Sequence, residues 1–163
     1  MLKTKLLIVF IIVYGALCFL SLNRHSKAKL NTYHAELWSD KAGYNVYLPA
    51  LFIANFEAPN FSKNIETNTG NGFICDTISN KIITKYPYGV ALLQSPFWIV
   101  AHLASPEKDG YSLYYQKAID FAGCFYFTVG LFFLFFFINR YQSKFIALSF
   151  TLFMFFSFFF FYF

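Results

Sequence analysis

Four uncharged apolar runs, each about as long as a membrane is thick, constrain this chain more than any other feature of its sequence. They are Leu6–Leu22, Tyr86–Ala104, Phe121–Asn139 and Phe145–Phe163, of 17, 19, 19 and 19 residues. A helix rises about 1.5 Å per residue, so each run reaches roughly 26–29 Å, close to the hydrocarbon thickness of a bilayer. Helices satisfy their own backbone hydrogen bonds in lipid, and these runs lack the alternation of barrel strands.

The fold class that follows is all-α: a polytopic membrane protein with four transmembrane helices. Only 13% of the residues are charged, whereas a soluble domain carries about 25%. We expect one membrane domain over residues 1–163. Its helices lie at about 6–22, 86–104, 119–139 and 145–163, and its first loop is 23–85. The last run ends at Phe163 without a polar flank, so we expect a chain that is incomplete at its C-terminus.

The first run also has features of a signal peptide, since Lys3 and Lys5 precede it. A lipoprotein site would need small residues before Cys18, but Leu17 stands there. No small-residue cleavage site follows, and basic residues come next. These features favour an uncleaved transmembrane helix.

The long first loop divides into two parts. Val46–Phe56 is apolar, but its 11 residues are too few to span and Pro49 interrupts them. It predicts a short helix in the membrane interface. The second part, Glu57–Lys85, is rich in Asn, Thr, Ser and Gly, which predicts an irregular, water-facing segment.

Orientation is ambiguous by charge. With the N-terminus inside, four Lys and Arg residues lie inside and nine outside, so the positive-inside rule prefers the opposite orientation. The rule weakens for loops beyond about 60 residues, and this loop has 63. The net charge of +5 comes from residues that flank helices. That placement indicates contact with lipid headgroups and no nucleic-acid partner.

The three cysteines and three histidines are scattered, which gives no disulfide framework and predicts no histidine or zinc site. Within the second run, Gln94, Ser95 and Pro96 have two interpretations. They could line a polar cavity, or they could form a proline kink whose freed carbonyl bonds to a neighbour. Asp120 is interpreted as a flanking charge at the start of the third helix.

Three stretches together resemble a known family. They read LWSDKAGYNVYLPALFIANF from Leu37, KYPYGVALLQSPFWIVAHL from Lys85, and GYSLYYQKA from Gly110. An acidic residue, a Gly-Tyr stretch, an apolar interfacial segment and a Lys-x-Pro entry to the second helix follow in that order. This order resembles the N-terminal part of the GT-C superfamily, polytopic glycosyltransferases that use polyprenyl-phosphate-linked sugars. The resemblance runs through most of residues 1–145.

The resemblance implies an inside N-terminus and an extracytoplasmic loop 23–85, in a bacterial inner or other plasma membrane. It implies that Asp40 is the catalytic general base on the acceptor. The leaving lipid phosphate would need a cation, and Lys41, Lys85 and Arg24 are the candidates for contact with the donor phosphate or with headgroups. A divalent metal is compatible with this chemistry. The partners would be membrane lipids and the polyprenyl-phosphate-linked sugar.

The chain departs from the family pattern in one loop. The family has a second carboxylate after its third helix, where this chain reads NRYQSK from Asn139. The later helices are absent too, so we expect this portion to be inactive alone. Other interpretations remain open: Asp40 as a helix cap, Lys85 as a headgroup anchor, and the chain as a non-catalytic four-helix subunit or scaffold or as a transporter fragment.

Overall fold

The computed structural model of the chain describes residues 2–23 and 36–162, and most of these residues are helical, which confirms the all-α class. The helices are α1 Leu2–Leu22, α2 Asp40–Asn45, α3 Tyr47–Phe52, α4 Ile65–Asn68, α5 Gly89–Ala104, α6 Leu113–Tyr141 and α7 Lys144–Tyr162, with one 3₁₀ turn at Ala58–Asn60. Two short strands, β1 Ile74–Asp76 and β2 Lys81–Ile83, form an antiparallel hairpin.

The chain divides into two compact units. One, here called the helix unit, comprises Met1–Ser26 and Gly123–Phe163; the other, the loop unit, comprises Lys27–Ala122. Each is described separately below.

Aromatic contacts fix the direction of α1 in the helix unit. The Tyr14 ring meets the Phe125 ring at 6.1 Å between centroids, and one turn earlier Phe10 reaches both Phe125 and Phe132, at 5.9 and 5.4 Å. An earlier position on α1 therefore contacts later positions on α6, which shows that the two helices run antiparallel. Only the two residues 142 and 143 separate α6 from α7.

Apolar side chains remain exposed along the helices. Phe133 in α6 is 72% exposed and Phe145 in α7 is 78% exposed. In the described part of the chain, one helix, α6, is long and apolar enough to cross a membrane by length and composition. The apolar parts of the other three are shorter, at Leu7–Leu22, Gly89–Ala104 and Lys144–Ser157. By this criterion one helix could cross a membrane, and four spans stay a prediction.

The loop unit has its own core. Trp98 of α5 is fully buried, with its ring 5.4 Å from Phe52 and 5.1 Å from Tyr115. Helices α2 and α3 both pack on α5. The buried cluster also contains Leu37, Ala42, Val46, Leu48, Ile65, Phe73, Ala91, Ala101, Tyr111 and Ala118.

The loop is more ordered than its composition indicates. The predicted helix within Val46–Phe56 is present as α3, and α2 precedes it. The irregular segment predicted for Glu57–Lys85 is wrong, because this segment contains α4 and the hairpin. The hairpin turn is closed by Asp76, whose carboxylate accepts hydrogen bonds from the backbone of Ile78 and Ser79 at 3.0 and 3.1 Å.

Helix boundaries also shift from the predicted ones. The second helix begins at Gly89 rather than 86, and the third begins at Leu113 rather than 119. Asp120 therefore lies inside α6 rather than at its start, and it is buried, with 6% of its surface exposed. The interpretation of Asp120 as a flanking charge is wrong.

Pro96 in α5 fits the second of its two interpretations, a proline whose freed carbonyl bonds to a neighbouring group. Pro96 cannot bond to the carbonyl of Leu92, four residues earlier. The Ser95 hydroxyl donates to that carbonyl at 2.8 Å. A neighbour thus satisfies the freed group, as expected for an ordinary proline site in an apolar helix.

Candidate functional site

Asp40 is the first residue of α2, and its side chain is exposed. The residue before it, Ser39, has φ 52° and ψ −121°, a conformation that costs a non-glycine residue about 1–3 kcal/mol. Two contacts hold it there. The Ser39 N–H donates to the Thr69 carbonyl at 2.7 Å, and Gly72 packs so closely on the Ser39 carbonyl that a Cβ would collide. The backbone at Ser39, which orients Asp40, is therefore held by residues 30 or more positions later in the sequence.

Tyr86 is the partner of Asp40. Its hydroxyl donates to the Asp40 carboxylate. The segment that carries it is docked at two further points. The Tyr47 hydroxyl donates to the Tyr86 carbonyl at 2.5 Å, and the Thr84 hydroxyl donates to the Gly43 carbonyl at 3.0 Å. The entry to α5 is thus bound to α2 and α3 beside the carboxylate.

Packing fixes the ring of Tyr86 as well as its hydroxyl. Its centroid lies 4.4 Å from that of Tyr44, so the two rings are in close contact. A Cβ on Gly43 would collide with the Tyr86 ring and with the Gly72 carbonyl. Only glycine at position 43 lets the ring lie this close to α2.

Lys85 adds positive charge to the same place. Its Nζ lies 5.2 Å from the centroid of the Tyr86 ring, a cation–π distance, and its side chain is exposed. The pKa of Tyr86 is raised above its usual value, chiefly because the hydroxyl donates to the Asp40 carboxylate, while Lys85 opposes that effect. One phenol therefore contacts both the carboxylate and the ammonium group.

The other two predicted cations have different positions. The Lys41 Nζ forms an ion pair with Glu36 at 3.3 Å; the Lys side chain is 52% exposed and the Glu side chain 4%. Lys41 thus compensates a buried carboxylate. Arg24 lies outside the described residues.

Sequence reasoning gave no role in the site to three tyrosines, Tyr44, Tyr47 and Tyr86. It also did not single out Glu36, the partner of Lys41. A tyrosine that precedes a proline before an apolar helix could have been weighed as a partner for a distant acid. Nothing in the sequence marks Glu36 as buried.

The arrangement offers a carboxylate, a cation and aromatic faces within one partly exposed cluster, which we call the Asp40 cluster: Asp40, Tyr44, Tyr47, Lys85 and Tyr86. A carboxylate held this way can accept a proton from a hydroxyl within hydrogen-bond reach. Within residues 2–23 and 36–162, no group of three or more His, Cys, Asp and Glu side chains could hold a metal ion.

Comparison with known proteins adds no relative. No family model, curated protein or solved structure shows significant similarity to this chain.

Proposed function

We propose that this chain is the N-terminal portion of a membrane glycosyltransferase, similar to the GT-C superfamily, that transfers a sugar from a polyprenyl-phosphate-linked donor to an extracytoplasmic acceptor. One observation carries the proposal. Asp40 and the Lys85–Tyr86 pair, about 45 residues apart in sequence, form a single partly exposed cluster.

The reaction assigns a task to each group. The acceptor hydroxyl attacks the anomeric carbon of the donor, and Asp40 takes the hydroxyl proton as the new glycosidic bond forms. The bond from that carbon to the phosphate oxygen breaks, and the electron pair leaves with the lipid phosphate. Lys85 stabilises the phosphate charge. A single displacement inverts the anomeric centre.

Aromatic residues give the cluster its affinity for a sugar. Tyr44, Tyr47 and Tyr86 combine apolar ring faces with hydroxyl groups, the amphipathic surface that a sugar ring requires. Tyr86 is a positioning residue here, since its hydroxyl orients the Asp40 carboxylate.

The proposal includes a multi-pass membrane protein whose segment 23–85 is extracytoplasmic. The exposed apolar surfaces of α1, α6 and α7 support the lipid contact. The predicted spans at α1, α6 and α7 belong to this proposal, and the cysteine labelling described below tests the fourth predicted span, α5. Other helices of such an enzyme would complete the cavity, so we expect this portion to bind the donor without transferring the sugar.

Donor binding tests the proposal. The chain would be reconstituted in nanodiscs with a polyprenyl-phosphate mannose, and retention would be measured by native mass spectrometry. We expect retention of the mannosyl phosphate lipid over the free polyprenol. Lys85→Gln should weaken retention about tenfold, as for loss of a charge-assisted contact, whereas the exposed hairpin variant Lys81→Gln should not.

Two results would contradict it. Equal retention of the phosphate lipid and the polyprenol would remove the role of Lys85. Absence of retention, combined with co-purification of one partner protein at fixed stoichiometry, would favour the non-catalytic subunit or scaffold instead.

A further inference from the structure

Within the described residues of the helix unit, three exposed basic side chains lie at one end. Lys5 of α1 lines a groove of about 360 Å³ together with Phe136 of α6 and Leu148 of α7. Arg140 stands one turn beyond Phe136, and Lys144 stands one turn before Leu148. Because α1 runs antiparallel to α6, Lys5, Arg140 and Lys144 share this end, and all three are exposed.

No acidic residue balances this charge in the unit. Residues 1–26 and 123–163 contain no Asp or Glu. An exposed, purely cationic end on an apolar helical unit matches the anionic headgroups of a cytoplasmic leaflet.

We infer that this basic end, formed by Lys5, Arg140 and Lys144, contacts anionic phospholipid headgroups of the cytoplasmic leaflet and sets the orientation of the chain. The inference rests on the membrane placement in the proposed function but not on glycosyl transfer. This inference places the N-terminus inside, whereas the simple count of Lys and Arg residues favoured the opposite orientation. The nine basic residues of that count were mostly in the long segment, which translocates largely regardless of charge.

The antiparallel arrangement of α1 and α6 also restricts how α5 can lie in the membrane. If α1 and α6 both cross the membrane in opposite directions, the chain between them leaves and re-enters on the same side. The predicted span between them, α5, then makes no complete crossing. Its 16 residues extend about 24 Å, less than the hydrocarbon thickness of roughly 30 Å. Its exposed face, with Leu92, Leu93, Val100 and Leu103, would enter the outer leaflet from one side.

Cysteine accessibility in intact cells tests this arrangement. Cys75 is a poor reporter, because burial raises the pKa of its thiol to about 11 and leaves little thiolate to react. On a background without native cysteines, Thr77→Cys reports the hairpin, Glu107→Cys the α5–α6 connection and Gln142→Cys the basic end. All three positions are exposed.

We expect a membrane-impermeant maleimide to label the Thr77 and Glu107 variants in intact cells and the Gln142 variant only after lysis. Labelling of the Glu107 variant only after lysis would overturn the arrangement of α5 and establish four spans. Labelling of the Gln142 variant alone in intact cells would overturn the orientation. Extraction of the chain by alkaline carbonate would instead contradict the membrane placement in the proposed function.

Charge reversal tests the headgroup contact itself. Lys5→Glu, Arg140→Glu and Lys144→Glu combined should raise the intact-cell labelling of the Gln142 variant about tenfold. The matched control reverses three exposed lysines of the loop unit, Lys63, Lys81 and Lys108, and should change nothing. Equal effects from the two triple variants would show that the basic end has no special role. Insertion of each variant is checked by carbonate resistance, so a folding failure is recognised separately.

Discussion

At the scale of single residues, the Asp40 cluster depends on one phenol that contacts opposite charges. The Tyr86 hydroxyl donates to Asp40, and the Lys85 ammonium lies over the ring. The two neighbours therefore have opposite effects on how readily the phenol ionises. This gives a direct measure of the cluster that needs no substrate.

The ionisation of Tyr86 should move in opposite directions in two variants. Asp40→Asn removes the carboxylate that holds the proton, so the pKa of Tyr86 should fall toward the usual value of about 10. Lys85→Met removes the opposing cation, so that pKa should rise further. Tyrosinate absorbance is titrated against the same chain with Tyr86→Phe as the baseline.

The pH dependence has a definite sign. A raised pKa means that the Tyr86–Asp40 bond contributes its full stability below about pH 10 and loses it as pH rises through the raised value. Asp76→Asn, in the hairpin turn, is the control and should leave the Tyr86 titration unchanged. Shifts of the same sign in the Asp40 and Lys85 variants would contradict the geometry.

Removing the Lys41 charge should destabilise the loop unit. Lys41→Met leaves the buried Glu36 carboxylate without this cation, although the half-exposed lysine makes the contribution modest, about 1 kcal/mol. Both tryptophans, Trp38 and Trp98, lie in the loop unit, so tryptophan fluorescence during unfolding reports its stability. The double variant with Glu36→Gln should recover part of the loss. A double variant less stable than Lys41→Met alone would count against the pair.

At the scale of elements, the packing of residues 84–86 on α2 and α3 is the feature on which the site depends. It requires the missing side chain at Gly43, where the Tyr86 ring and the Gly72 carbonyl fill the space. Steric contact, rather than hydrogen bonding alone, holds the Asp40 and Tyr86 elements in register.

Gly43→Ala should cost about 2–3 kcal/mol of loop-unit stability, since its methyl group displaces the Tyr86 ring. It should also return the pKa of Tyr86 toward its usual value, because the hydroxyl leaves Asp40. The matched control is Gly89→Ala, at the first position of α5, where nothing lies within 4 Å of a Cβ. Similar unfolding midpoints for the two variants would contradict the close packing.

The elements divide clearly into those that the sequence predicts and those that it does not. Long uncharged apolar runs predict α1, α6 and α7, because runs of this length favour helices that satisfy their own backbone hydrogen bonds. The hairpin β1–β2 escaped prediction because its turn is closed by side-chain bonds of Asp76 within a polar segment. Asp40 and Lys85 could be named as candidates through the resemblance of these stretches to the GT-C superfamily. The roles of Tyr86 and Glu36 depend on contacts 46 and five residues away, which no local pattern reveals.

At the scale of the whole molecule, exposed apolar residues occur in two settings. Phe133 is 72% exposed in α6, and Ile78 is 94% exposed in the hairpin turn. The membrane proposal places Phe133 in lipid and Ile78 in water, although both side chains are largely exposed.

An aspartate at each position should separate these settings. Phe133→Asp places a charge within the apolar part of α6, which costs about 2.5–3.5 kcal/mol for insertion at a helix centre. Ile78→Asp should be neutral. The fraction of each variant that resists alkaline carbonate extraction is the measurement. Equal carbonate resistance of the two variants would show that Phe133 does not face lipid.

The separation of Asp40 and Tyr86 in the sequence delays their contact during synthesis. The two residues are 46 positions apart, and a ribosome adds about 5–20 residues per second. For several seconds the nascent chain presents α1 to the insertion machinery while the carboxylate has no phenol to meet. A chain stalled before position 86 would thus leave Asp40 uncovered, with α1 already synthesised.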